Sequence, residues 1–159
     1  MSHLEGHPVP PFHGPSSKGA TIHSSDFLGK VPMLICIIGS ATEALPSLHQ
    51  MSDALASFGE RRVQLLAIAS NTAAEVRQTA DDAGLNVPII ADPDGTIGRL
   101  LDADVLTPPY AILVDSSGNV CRVATLPRER TIGSDLLALI DTEVAANPAA
   151  FAVLPSMLI

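Results

Sequence analysis

The sequence predicts an α/β sandwich built around a mixed β-sheet, and three observations support this prediction. Two apolar runs, residues 33–38 and 63–69, have the length of strands that are buried on both faces. Each run is followed by a segment with the three- and four-residue apolar spacing of an amphipathic helix. Residues 110–114 and 120–124 flank an Asp-Ser-Ser-Gly turn, which indicates an antiparallel hairpin. Parallel strands joined by helices, then a hairpin and a closing helix, define the fold class.

The first two helices have recognisable ends. Thr42 is placed to cap the first helix, and Gly59 ends it. Asn71 or Thr72 caps the second helix, and Gly84 ends it. These caps place one helix between each pair of successive strands.

The remaining elements are shorter. Residues 87–90 form a strand that Pro88 keeps at a sheet edge, because proline cannot donate to a neighbouring strand. Residues 92–95 form a turn, and a short helix follows it to about Leu101. Ser134 caps the last helix.

The composition describes an acidic globular chain. With 159 residues, 47% apolar and 16% charged, it is long enough for one domain and too apolar to be disordered. A net charge of −8 argues against a nucleic-acid partner. No apolar run reaches the ~18–20 residues of a membrane span, and the N-terminus lacks the pattern of a secretory signal. We therefore expect a cytoplasmic protein.

Cysteine and histidine usage predicts no metal or cofactor. Two cysteines, Cys36 and Cys121, exclude a disulfide scaffold and a cysteine-based zinc site. No glycine-rich phosphate loop is present. Four of the five histidines fall in the first 30 residues, but their spacing matches no metal-ligand pattern; they are His3, His7, His13 and His23.

Five local motifs, in order and at matching spacing, resemble those of the redoxin branch of the thioredoxin fold. This branch includes AhpC/TSA peroxiredoxins and TlpA-like thiol–disulfide oxidoreductases, and the resemblance covers about residues 5–145. It implies a thioredoxin-like three-layer sandwich with a C-terminal β-hairpin. The motifs are the opening glycine–proline–phenylalanine segment (6–12), the Asp-Phe-Leu-Gly-Lys turn (26–30), the Leu-Pro-x-Leu helix start (44–48), the Asp-Pro-Asp-Gly turn (90–95) and the cis-proline strand (109–115).

One subgroup is the most similar. Residues 109–115, with Arg128 and Glu129 before the last helix, resemble the methylamine-utilisation protein MauD. That family serves disulfide formation or maturation of methylamine dehydrogenase. It normally carries a membrane anchor and a Cys-Pro-x-Cys motif, and this sequence shows neither.

The sequence departs from the family where the reactive sulfur is expected. In redoxins this sulfur lies between the first core strand and the Leu-Pro-x-Leu helix, where a helix N-terminus favours the thiolate. Here that interval is Gly-Ser-Ala-Thr-Glu, and alignment on Leu45 and Pro46 places Ala41 at the sulfur position. The sequence therefore assigns no catalytic residue. The only thiols that could replace the missing sulfur in a redox reaction are those of Cys121 and Cys36.

By the same resemblance, the bond preceding Pro109 is cis and faces residues 39–42. We name the site that this implies the predicted groove; its residues are Ser40, Thr42, Pro109 and Tyr110. The residue before Pro109 is another proline, which has no N–H to offer an extended substrate.

The C-terminal tail, residues 147–159, is apolar and carries no charged side chain, whereas residues 1–146 form the redoxin domain. Two alternatives stay open for the tail: docking on its own domain, or contact with another subunit or protein partner. Exposed to water, such a tail would form an apolar surface patch that is prone to association.

Two functions compete at this point. The first is a redoxin-like binding or maturation accessory module without the reactive dithiol, whose partner is a protein or a small molecule. The second is a one-cysteine oxidoreductase or peroxidase acting through Cys121. A third function, a non-redox enzyme on the same scaffold, has no support, because the sequence shows no group of residues that could form its catalytic site.

Overall fold

The computed structural model describes residues 4–103, 105–126 and 133–152. Its strands are β1 (His13–Pro15), β2 (Thr21–His23), β3 (Met33–Gly39), β4 (Gln64–Ala69), β5 (Ile89–Ala91), β6 (Tyr110–Val114) and β7 (Val120–Thr125). Its helices are α1 (Leu45–Asp53), α2 (Leu55–Glu60), α3 (Ala73–Ala83), α4 (Thr96–Leu100) and α5 (Gly133–Ala146), with 3₁₀ turns at Ser24–Asp26 and Pro148–Phe151.

Five strands form a mixed central sheet in the order β5-β4-β3-β6-β7. Strands β3, β4 and β5 run parallel, whereas β6 is antiparallel to β3 and to β7. The predicted fold class, with its mixed sheet and C-terminal hairpin, is therefore confirmed. The strand expected at residues 87–90 is β5, which begins at Ile89, directly after Pro88, and lies at one edge of the sheet.

The central strand β3 separates two apolar layers, because successive strand residues point to opposite faces. Leu34, Cys36 and Ile38 lie in the layer that α1, α2, α3 and α5 cover. Met33 and Ile35 lie in the opposite layer, which the N-terminal segment and α4 cover. Helices, sheet and this second cover make the three layers that were predicted.

The N-terminal segment covers the β7 edge of the sheet. The amide of Gly6 donates to the carbonyl of Val120 at 2.8 Å, and the amide of Val120 donates to the carbonyl of His7 at 2.9 Å. Further along, the Glu5 carboxylate accepts from the amide of Val123 at 3.0 Å. A side-chain oxygen thus stands where a neighbouring strand would place a carbonyl.

The same segment also covers the β5 edge. The amide of Ser17 donates to the carbonyl of Ile89 at 2.8 Å, and the amide of Ile89 donates to the Ser17 hydroxyl at 3.0 Å. Ser17 belongs to the loop of the β1–β2 hairpin, which the sequence did not predict. Its strands, His-Gly-Pro and Thr-Ile-His, are three residues long, which is too short to show a strand periodicity.

The helix ends confirm some predicted caps and correct others. Thr72 forms a capping box with Glu75, and Gly84 ends α3 in the left-handed conformation at φ 64°. Thr42 does not cap α1: a turn intervenes, and the N-cap is Ala44, which makes no side-chain hydrogen bond. Ser134 lies inside α5, which already begins at Gly133.

The described part of the tail docks on its own domain. Phe151 is 7% exposed and belongs to the apolar layer under the helices. The amide of Ser116 donates to the carbonyl of Ala150 at 2.7 Å, and its hydroxyl donates to the carbonyl of Ala152 at 2.8 Å. Residues 153–159 lie outside the described residues, as do Arg128 and Glu129 of the MauD-like motif.

Among the helices of the described residues, none combines the length and the hydropathy that a membrane crossing requires.

Candidate functional site

The segments of the predicted groove meet at one end of the sheet. Because Ile37 pairs with Tyr110, the loop after β3 and the loop before β6 lie side by side. A Cβ on Gly39, whose φ is +72°, would lie 3.7 Å from the Cβ of Pro108. The Pro108–Pro109 bond is cis, as predicted.

The loop after β3 is the segment to which the family resemblance assigned the reactive sulfur. Ala41 is fully buried in the layer under the helices. Its amide donates to Oδ1 of Asn71 at 2.8 Å, which ties this loop to the loop after β4. Ser40 is half-buried, and its hydroxyl accepts from the amide of Glu43 at 3.4 Å, whereas Thr42 is exposed. Ala41, which the sequence alignment placed at the sulfur position, therefore packs its methyl group in the core.

A pocket of about 470 Å³ lies next to this loop, at the carboxyl ends of the three parallel strands. Its walls are mainly apolar, and three charged residues also line it: the buried Asp92, and Asp94 and Arg99. Its lining includes Gly39, Ile37, Ile68, Pro108, Asp92 and Arg99.

None of the four residues of the predicted groove lines this pocket, although their neighbours Gly39 and Pro108 do. Tyr110 is 1% exposed, because its ring points into the core beneath the pocket. Its hydroxyl donates to the carbonyl of Leu101. The loop with Ser40 and Thr42 turns toward the helices, where Ala41 is buried. The pocket thus adjoins the predicted groove at Gly39 and Pro108 and includes none of its four residues.

Asp92 is a buried carboxylate whose role the sequence did not reveal. It is 6% exposed, and its two oxygens accept from the amides of Ile97 at 3.0 Å and Gly98 at 2.8 Å. It therefore satisfies the first amides of α4 and fixes that helix as a wall of the pocket. The predicted turn is present, since the amide of Gly95 donates to the carbonyl of Asp92 at 3.1 Å.

The other charged residues of the pocket are held by the same turn. The Asp94 carboxylate accepts from the amide of Thr96 at 3.2 Å, and this hydrogen bond lowers the pKa of Asp94. Nη1 of Arg99 donates to the carbonyl of Asp94 at 3.1 Å. The turn therefore places a negative side chain, Asp94, and a positive one, Arg99, next to each other on the lining of the pocket.

The two cysteines lie on β3 and β7 and are both free. Burial raises the pKa of the Cys36 thiol to about 12. The pKa of Cys121 rises to about 11, first through burial and then through the carboxylates of Asp115 and Glu143. Two strand spacings, about 9–10 Å, separate β3 from β7, whereas a disulfide needs Cα atoms within about 7 Å. The structure thus keeps the two thiols apart, and burial favours the protonated form of both.

Within residues 4–103, 105–126 and 133–152, no group of three or more histidine, cysteine, aspartate or glutamate side chains is arranged to hold a metal ion.

Comparison with known families decides the classification. A model of the AhpC/TSA family matches residues 6–153 of the chain. This protein belongs to the AhpC/TSA family. A search of curated protein sequences finds no match for it.

Solved structures share the fold of this AhpC/TSA protein at low sequence identity. Peroxidoxin BcpB from Mycobacterium tuberculosis is 17% identical with a TM-score of 0.74, over 89% of this chain and 98% of that one. The mitochondrial 2-Cys peroxiredoxin from Plasmodium falciparum is 13% identical with a TM-score of 0.78, over 92% and 97%. A thioredoxin-family thiol:disulfide interchange protein from Chlorobium tepidum TLS is 18% identical with a TM-score of 0.67, over 89% and 97%. These similarities show the thioredoxin-like fold.

Proposed function

We propose that this AhpC/TSA protein is a binding or maturation accessory module that does not use thiol–disulfide exchange. The observation that carries the proposal is the loop after β3. Residues 39–44 contain no cysteine, and the residue aligned with the family's sulfur, Ala41, is a fully buried part of the core. A neighbouring hydroxyl has no redox chemistry comparable to that of a thiol, so Ser40 and Thr42 do not replace it.

The state of the two thiols supports the same proposal. The reactive species of cysteine is the thiolate, and reactive cysteines have lowered pKa values. A pKa of about 11 leaves only about one Cys121 in ten thousand as thiolate at neutral pH. Cys36 has a pKa of about 12 and is fully buried, so solvent reaches it even less.

The proposed binding site is the end of the sheet where the pocket and the predicted groove share the loop after β3. The pocket offers apolar walls from Ile37 and Ile68, with Asp94 and Arg99 at its rim. A small molecule or a short segment of a partner protein fits this combination of an apolar floor and a polar rim. The likeness of residues 109–115 to MauD favours a role in maturing a partner protein.

The alternative is a one-cysteine oxidoreductase or peroxidase that acts through Cys121. This alternative is supported by the partial exposure of the Cys121 side chain. Cys121 is half-buried and lies on β7, the outermost strand on its side of the sheet. A peroxide or disulfide could approach this sulfur, whereas Cys36 is enclosed.

The pH profile of thiol alkylation distinguishes the two functions. In the Cys36→Ser variant only Cys121 reacts, and we expect its rate to rise about tenfold per pH unit up to about pH 10. Peroxide consumption should equal that of the Cys36→Ser, Cys121→Ser double variant. A rate that levels off near neutral pH, or turnover that disappears in the double variant, would contradict the proposal and establish the alternative. The Cys121→Ser variant is the matched control, because its remaining thiol is buried.

A further inference from the structure

Two histidines face each other across the β1–β2 hairpin. His13 pairs with His23, and their ring centroids lie 5.3 Å apart with 21° between the ring planes. The amide of Ser24 donates to the carbonyl of Phe12 at 2.9 Å, so residues 12 and 24 are a hydrogen-bonded pair. Because such pairs alternate, residues 13 and 23 form the non-hydrogen-bonded pair, in which side chains approach most closely.

Both imidazoles point to solvent from a backbone that is held in place. In each strand the outer two residues are exposed and the middle one, Gly14 or Ile22, is buried. Gly14 lies so close to β5 that a Cβ on it would be 2.6 Å from Cγ2 of Ile90. The hairpin is therefore packed tightly against the sheet, which restricts the movement of its backbone. The two rings lie on the same exposed face of the hairpin.

We propose that His13 and His23 together chelate a divalent transition-metal cation of the Zn²⁺, Ni²⁺ or Cu²⁺ type. Imidazole nitrogen suits these cations and binds zinc at about 2.0–2.1 Å, whereas Mg²⁺ and Ca²⁺ prefer oxygen ligands. A small rotation of the two rings turns one nitrogen of each toward a shared cation. Two protein ligands leave the remaining coordination positions to water or to a residue of a partner.

Bound metal would join β1 to β2 and thereby hold the N-terminal segment that covers the sheet edges. A cation that binds the folded chain and not the unfolded chain raises the free energy of unfolding. The site is separate from the pocket at the strand ends, so the inference goes beyond the proposed function and does not depend on it.

The test uses the full chain and Zn²⁺ alone, titrated by calorimetry at slightly alkaline pH. The variants His13→Gln and His23→Gln should each lower the affinity by about tenfold or more, because each removes one of two ligands. The variant His49→Gln is the matched control: His49 is exposed on α1, far from the hairpin in sequence, and its loss should leave the affinity within about twofold. Equal affinity in the wild type and both hairpin variants would overturn the proposal, as would an equal loss in the control.

A second measurement needs no variant. Chemical modification of histidines in the wild-type chain, followed by mass spectrometry, should show that Zn²⁺ protects His13 and His23 together and leaves His49 reactive. Protection of neither hairpin histidine, or no Zn²⁺ binding by the wild-type chain, would also overturn the proposal.

Discussion

Replacing Phe151 by alanine tests how strongly the tail is docked on the domain. The side chain is 7% exposed and lies in the layer under the helices, with backbone hydrogen bonds on either side of it. A buried phenylalanine removes at least 150 Å² from water, and alanine would keep part of that area buried. A net loss of about 100 Å² at about 25 cal/mol per Å² lowers the free energy of unfolding by about 2.5 kcal/mol.

The melting temperature reports this loss. For a chain of this size, 1 kcal/mol shifts the melting temperature by about 2–4 °C, so Phe151→Ala should melt about 5–10 °C lower. The matched control is Val105→Ala, because Val105 is 67% exposed and its truncation should change stability by less than about 0.5 kcal/mol. If both variants melt at the wild-type temperature, Phe151 contributes no packing energy and the docked tail is refuted. Sedimentation of both variants shows whether the same change alters the oligomeric state.

Three further predictions concern a helix cap, a close contact and an ion pair. Thr72→Ala should lower the free energy of unfolding in urea by about 1 kcal/mol through loss of the capping box, whereas Thr42→Ala, which removes no cap, should leave it unchanged. Gly14→Ala places a Cβ 2.6 Å from a side-chain carbon of β5 and should cost about 1–3 kcal/mol in the same assay; wild-type stability would disprove this contact. The hydrogen bond from Arg61 lowers the pKa of Asp141, so its stabilising effect is present above about pH 4 and is lost as pH falls below that value. The stability difference between wild type and Asp141→Asn should therefore shrink between about pH 5 and pH 3, and a difference that is independent of pH would show that this pair is not responsible.

The central sheet could be predicted because its strands are continuous apolar runs of the right length. Residues 33–38 and 63–69 are buried on both faces in the structure, and such runs have few other interpretations in a chain of this size. The helix after β4 was predictable from its spacing and from Gly84, whose left-handed conformation ends α3. The single helix expected after β3 is two helices, α1 and α2, and Gly59 lies inside α2 instead of ending it.

The β1–β2 hairpin and the pocket were not predictable from local sequence. The hairpin depends on contacts with β5, whose residues are about 70 positions away, and its three-residue strands carry no pattern of their own. The orientation of Tyr110 follows from strand register, because pairing with Ile37 places its ring in the core instead of at the surface. Asp92 looked like an ordinary turn residue, since its burial arises only when α4 folds back over the strand ends.

The cover that the N-terminal segment places on both sheet edges has a consequence for the order of folding. Residues 4–17 are synthesised before the sheet strands, yet Glu5 meets its partner on β7 only after 118 further residues, and Ser17 meets β5 after 72. Contacts of such long range close late, because the entropy of loop closure opposes them until the intervening chain is ordered. We therefore expect the β7 edge to be covered last, and until then a nascent chain is exposed there to pairing with its neighbours on the polysome.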